Sequence, residues 1–112
     1  MRSQELYLTD ILDAIANIND FVGKMSLAEF EEDRKTCSAV IHQFQIIGEA
    51  VKHISEELII QHPQISWKDI AGMRNILVHE YFGVDLNLVY ETIQHDLPPL
   101  KKTVDELLLK IK

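Results

Sequence analysis

DRKTCSAVIHQFQIIGEAVKHISEELIIQHP, residues 33–63, carries its apolar side chains at a helical period. Val40, Ile41, Phe44, Ile47, Val51, Ile54 and Leu58 fall on one stripe, with polar residues between them. Asp33 is placed to cap the start, and Pro63 removes a backbone donor at the far end. The spacing predicts one long helix running to about Ile60. Gly48 in its middle costs about 1 kcal/mol relative to alanine, and close approach of a neighbouring helix is the expected reason.

The same period continues on both sides. Upstream, residues 3–22 place Tyr7, Ile11, Ile15, Ile18 and Val22 on one face, with Asp10, Asp13, Asn17 and Asp20 mostly on the other. Gly23 stops that helix. Ser26-Leu-Ala-Glu29 reads as a capping box opening a short helix. Downstream, Ser66-Trp-Lys-Asp69 is a similar start with Asp in place of Glu. Its helix carries Ile70, Met73, Leu77 and Val78 and is expected to end near Tyr81–Gly83. Asp85 caps a final region striped by Leu86, Val89, Ile93 and Leu97, then Val104, Leu107, Leu108 and Ile111. Pro98 and Pro99 must kink or divide it. With no strand signal and short connections, the expectation is all-α: an antiparallel bundle of four main helices plus a short one, in a single domain over residues 1–112.

Composition narrows the function. A chain of 112 residues with 46% apolar side chains can bury one ordinary core. Eleven Lys and Arg against 18 Asp and Glu give a net charge of −7, which argues against a general nucleic-acid coat protein. A local cationic site is still allowed, because the field at a cleft matters more than the total. Cys37 is the one cysteine, so no internal disulfide forms, which fits a reducing, cytoplasmic setting. The first residues, MRSQELYLTDIL, lack the apolar core of a secretory leader, and no apolar run approaches the ~20 residues of a membrane span.

The chemistry concentrates in RNILVHEYFGVD, residues 74–85. Arg74 offers a planar fork of donors to phosphate oxygens, and His79 can act as base or acid near neutral pH. Asn75 adds an amide and Tyr81 a phenol. Together they suggest metal-free chemistry on a phosphodiester; the bland alternative is a surface arginine and a helix-end histidine. Asn75 and His79 are i,i+4 and share a helix face. Arg74 and His79 lie about 140° apart and roughly 7.5 Å along an ideal helix axis. They converge if the arginine wraps round or the helix tightens, or if Arg74 of one chain serves His79 of another.

From YLTDIL through IIGEA, HPQISWKDIAGMRNILVHEYFGVDL and ETIQHDLPPLK, the chain resembles the HepT-like branch of the HEPN superfamily. That resemblance implies a small helical bundle, commonly dimeric, and a metal-independent ribonuclease with no cofactor. The superfamily signature is an arginine, often followed by a polar residue, then a histidine four to six residues on; Arg74, Asn75 and His79 complete it. The resemblance further implies a toxin whose partner is an MntA-type minimal nucleotidyltransferase antitoxin, with AMP transferred to the tyrosine two residues past the histidine, Tyr81.

In RNA the 2′-hydroxyl is the nucleophile. His79 can deprotonate it, Arg74 can stabilise the phosphorane charge, and Asn75 can orient the phosphate or fix the imidazole tautomer. A two-fold dimer brings a second His79 to protonate the leaving oxygen. Its interface is expected along 66–83 and the apolar faces of the long helices. Glu49 is i,i+4 to His53 and is expected to pair with it; a supporting role ordering Arg74 is a further possibility. His42, His53, His62 and His95 show no zinc spacing and read as structural or surface residues. Trp67 reads as a packing anchor rather than a base-stacking platform, Asp10 as solvated with the cleft as the alternative, and Cys37 as inert. The leading function is thus an endoribonuclease toxin. The alternative is a non-catalytic helical adaptor that binds nucleotide or nucleic acid for a nucleotidyltransferase partner.

Overall fold

The computed structural model describes residues 3–72 and 85–111. Seven helical segments and no strand occur among them: α1 (Gln4–Val22), α2 (Leu27–Glu32), α3 (Arg34–Lys52), α4 (Glu56–Gln61), α5 (described over 67–72), α6 (Leu86–His95) and α7 (Leu97–Ile111). The chain is all-α, as the periodicity requires.

Polar caps set most of these boundaries. The Ser3 hydroxyl accepts from the Leu6 amide at the start of α1, and Gly23 ends it at φ +52, a conformation open to glycine. Ser26 and Glu29 form the complete capping box of α2. Asp33 closes α2 and caps α3, its Oδ1 accepting from the Thr36 amide at 3.0 Å. That hydrogen bond holds the Asp33 carboxyl below its ordinary pKa; the Ser26 backbone amide does the same for Glu29.

One boundary differs from expectation. The predicted helix to Ile60 is two helices, broken at 53–55. The last turn of α3 tightens, with the His53 amide on the Ala50 carbonyl and the Ile54 amide on Val51. Ser55 then caps α4, its hydroxyl accepting from the Leu58 amide at 3.3 Å. The Gln4 side chain spans the break, donating to the His53 carbonyl and accepting from the Ser55 amide, both at 2.8 Å. A carboxamide 49 residues away thus satisfies two backbone groups that a continuous helix would have paired internally.

The core lies chiefly between α1, α3 and α7. Leu8, Ile11, Ile15 and Ile18 of α1 meet Val40, Phe44 and Ile47 of α3, and Leu100 and Val104 of α7, all at most 1% exposed. Gln4 meets residues 53 and 55, whereas Asn17 bonds Gln43 at 3.2 Å, so α1 and α3 run antiparallel. Gly48 is buried in α3. Tyr7, assigned to the α1 stripe, is only partly buried, and Leu8 and Ala14 fill that face instead.

The prolines divide the final region at Asp96. Pro98 and Pro99 occupy the first turn of α7, where backbone donors have no helical acceptor in any case. The α7 stripe ends earlier than predicted. Residues 109–111 are all exposed, Ile111 at 44%, because the last turn extends past the core.

Candidate functional site

Arg74, Asn75, His79 and Tyr81 lie outside the described residues, as does most of the 66–83 face assigned to a dimer interface. The structure describes how the chain leads into and out of that segment. On the entry side, the Ile70 amide bonds the Ser66 carbonyl at 3.0 Å and opens α5. Trp67 is 5% exposed and its Nε1 donates to the His62 carbonyl at 2.9 Å, so it is the anchor expected of it. Ile65 and Ile70 are buried beside it in the core cluster.

On the exit side, Asp85 caps α6, its Oδ1 accepting from the Leu88 amide at 3.2 Å. Val89 and Ile93 bury the inner face of α6. The Tyr90 hydroxyl donates to the Met25 carbonyl at 2.7 Å, and its ring lies 5.8 Å from that of Phe30. Both flanks of the motif are therefore tied to the core.

Glu49 sits on the exposed side of α3, with Oε1 3.4 Å from Nε2 of His53. The pair is the one the i,i+4 spacing predicts, and at 45% and 49% exposure it contributes little to stability. The His53 ring also stacks on Tyr7, with centroids 4.7 Å apart and planes 10° from parallel. Glu49 thus belongs to a polar seam, with Gln4, Tyr7 and His53, at the start of α1 and the end of α3.

The remaining candidates are structural or solvated. His95 pairs with Glu91 at 3.0 Å on the outer face of α6, and His42 is exposed. Asp10 is half-buried rather than fully solvated. Cys37 is buried, donates through Sγ to the Phe30 carbonyl at 3.0 Å, and has its thiol pKa raised by burial, which disfavours the reactive thiolate. Among the described residues no group of three or more His, Cys, Asp or Glu side chains could hold a metal, and no helix is long and apolar enough to cross a membrane.

Periodicity gave no hint of a groove of about 340 Å³ between α5 and α6. Lys68, Asp69, Ile70 and Gly72 line one side, and Leu88, Thr92 and Asp96 the other. A sequence signal does exist in part: Leu88, Thr92 and Asp96 are spaced i, i+4, i+8 and share one face of α6 and its end. That α5 lies opposite this face is a tertiary fact, which no local pattern contains.

A family model described as "Ribonuclease HepT-like" matches residues 11–107 of the chain. The chain belongs to the HepT-like ribonuclease family. The matched span includes both flanks described above and the whole Arg74–His79 run. Among individual relatives, a protein of Thermococcus cleftensis named as a probable ribonuclease HepT is 42% identical over 106 residues, covering 95% of this chain and 96% of its own. A candidate RNase of Caldanaerobacter subterraneus is 39% identical over 112 residues, covering 100% of both chains. Another from Methanocaldococcus jannaschii is 37% identical over 106 residues, 95% of this chain and 88% of the relative. No solved structure matches the chain.

Proposed function

We propose that this chain is a metal-independent endoribonuclease, the toxin of a toxin–antitoxin pair, with Arg74, Asn75 and His79 as its catalytic residues. The observation that carries the reading is membership of the HepT-like family over residues 11–107, a span that holds the complete Arg-Asn…His run. His79 removes the proton of the RNA 2′-hydroxyl. That oxygen attacks the adjacent phosphorus, the 5′-oxygen leaves and takes a proton, and a 2′,3′-cyclic phosphate results. Arg74 stabilises the charge that builds on the phosphorane oxygens, where its hydrogen bonds are stronger than in the ground state. Asn75 orients the phosphate or the imidazole. The leaving oxygen's proton comes from His79 of a second copy in a two-fold dimer, which makes the active species a homodimer.

Tyr81 is the control point in this reading. A nucleotidyltransferase antitoxin of the MntA type transfers AMP to its hydroxyl. The added phosphodiester charge and nucleotide bulk then oppose entry of the substrate phosphate. Glu49 supports the site by ordering Arg74.

Incubating the purified protein with RNA in EDTA tests the reading. Cleavage by wild type, lost in His79→Ala and in Arg74→Lys, is the expected result, since lysine keeps the charge but loses the fork. RNA binding without cleavage in all three would leave the chain a non-catalytic adaptor. Light scattering at micromolar concentration is expected to give a dimer; a monomer would overturn the composite site. After co-expression with the antitoxin, mass spectrometry is expected to find AMP on Tyr81. Tyr81→Phe is expected to cleave RNA yet escape neutralisation.

A further inference from the structure

The groove between α5 and α6 holds functional groups that the described residues leave unpaired. No hydrogen bond or ion pair among the described residues engages the side chains of Lys68, Asp69 or Asp96. Lys68 and Asp69 are exposed and Asp96 is half-buried. Leu88, half of it open to solvent at 50%, gives the groove an apolar wall. At Gly72 an added Cβ would meet nothing within 4 Å, so the space above that residue is open. The groove thus offers a cation, two carboxylate acceptors and an apolar surface within about 340 Å³. That volume is at the lower end of the roughly 300–1,000 Å³ range of small-ligand sites.

These groups select among occupants. A simple anion would meet the Asp69 and Asp96 carboxylates beside the Lys68 ammonium. An apolar peptide would have to desolvate three charges without partners. A nucleotide unit has a complement for each kind of group: its phosphate pairs with Lys68, its ring faces the Leu88 wall, and donors on its base edge reach a carboxylate. The carboxylates further select the base. Guanine presents an imino N–H and an amino group side by side and can bind one carboxylate through two hydrogen bonds. Uracil presents carbonyl oxygens that a carboxylate repels.

We propose that this groove is a base-recognition subsite for RNA, in which Asp69 and Asp96 favour guanine over uracil at a nucleotide near the cleaved phosphate. Gly72 lies two residues before Arg74 in the chain, which puts the subsite next to the catalytic run along the backbone. The proposal rests on the ribonuclease reading for its link to cleavage, but its recognition step can be measured without cleavage.

The experiment uses short RNA oligonucleotides that differ only by guanine or uracil at one position. Binding is measured by fluorescence anisotropy with 2′-O-methyl oligonucleotides, which lack the nucleophile, and cleavage with unmodified ones. Wild type is expected to bind the guanine form about tenfold or more tightly, the low end of what one good bidentate base contact supplies. In cleavage the same preference is expected in kcat/KM. The double variant Asp69→Asn, Asp96→Asn is expected to bring the binding ratio to within about twofold while its circular dichroism is unchanged. Gly72→Leu, which fills the groove without a clash at Cβ, is expected to weaken binding of both forms. Equal binding of the two forms by wild type, or a preference that survives the double variant, would overturn the proposal. Selective binding without cleavage would uphold the subsite and overturn the ribonuclease reading instead.

Discussion

The seam between α1 and α3 and the groove between α5 and α6 use polar groups in opposite ways. At the seam, Gln4 bonds both sides of the α3–α4 break, His53 stacks on Tyr7 and pairs with Glu49, and Asn17 bonds Gln43. In the groove, the Lys68, Asp69 and Asp96 side chains have no hydrogen-bond or ion-pair partner among the described residues. The first arrangement satisfies groups that folding would otherwise strand. The second leaves charged groups exposed and available to a ligand. Substitutions at the seam should therefore be read in stability, and those in the groove in recognition.

The core beneath the seam sets the largest expected effect. Phe44 is 1% exposed on α3, so Phe44→Ala is expected to cost about 3–5 kcal/mol in urea unfolding. A loss under 1 kcal/mol would mean that the α1–α3 contact is not the centre of the fold. Next comes the clamp itself. Gln4→Ala strands the His53 carbonyl and Ser55 amide, both near solvent, and is expected to cost about 1–2 kcal/mol with faster amide exchange at residues 53–58. If exchange there is unchanged, the break does not depend on Gln4. On the groove side the sign reverses. Gly72→Ala adds a methyl group to open space in a helix and is expected to raise stability by about 0.5–1 kcal/mol. A destabilising result would show that the groove floor is more crowded than described.

The smallest effect concerns the caps. Glu29 and Asp33 are held below their ordinary pKa by hydrogen bonds to backbone amides at the starts of α2 and α3. Protons therefore bind these groups more readily in the unfolded chain. Their contribution is complete above the ordinary carboxylate range and is lost as pH falls through their lowered values. Urea titrations down through that range are expected to show a shallower fall for the Glu29→Gln, Asp33→Asn double variant than for wild type.

The two helix junctions show what a sequence can reveal about this fold. The division at Asp96 was legible because Pro98 and Pro99 restrict their own backbone. The break at 53–55 was not, because the apolar stripe runs through it and the group that bridges it comes from Gln4. Ser55 was the available local sign, a cap residue three positions before Leu58. For the site, Trp67 and the Glu49–His53 pair followed from local spacing. The groove did not, because it exists only where two helices distant in sequence meet. The roles of Arg74, Asn75, His79 and Tyr81 rest on their residue types and on the family, since these residues lie outside those the structure describes.

Product analysis tests the central claim most directly. RNA is incubated with wild-type protein in EDTA, and the new ends are identified by mass spectrometry. The account predicts 2′,3′-cyclic phosphate and 5′-hydroxyl ends, formed by wild type and not by His79→Ala. Cleavage that appears only with added Mg²⁺ and leaves 5′-phosphate ends would contradict it.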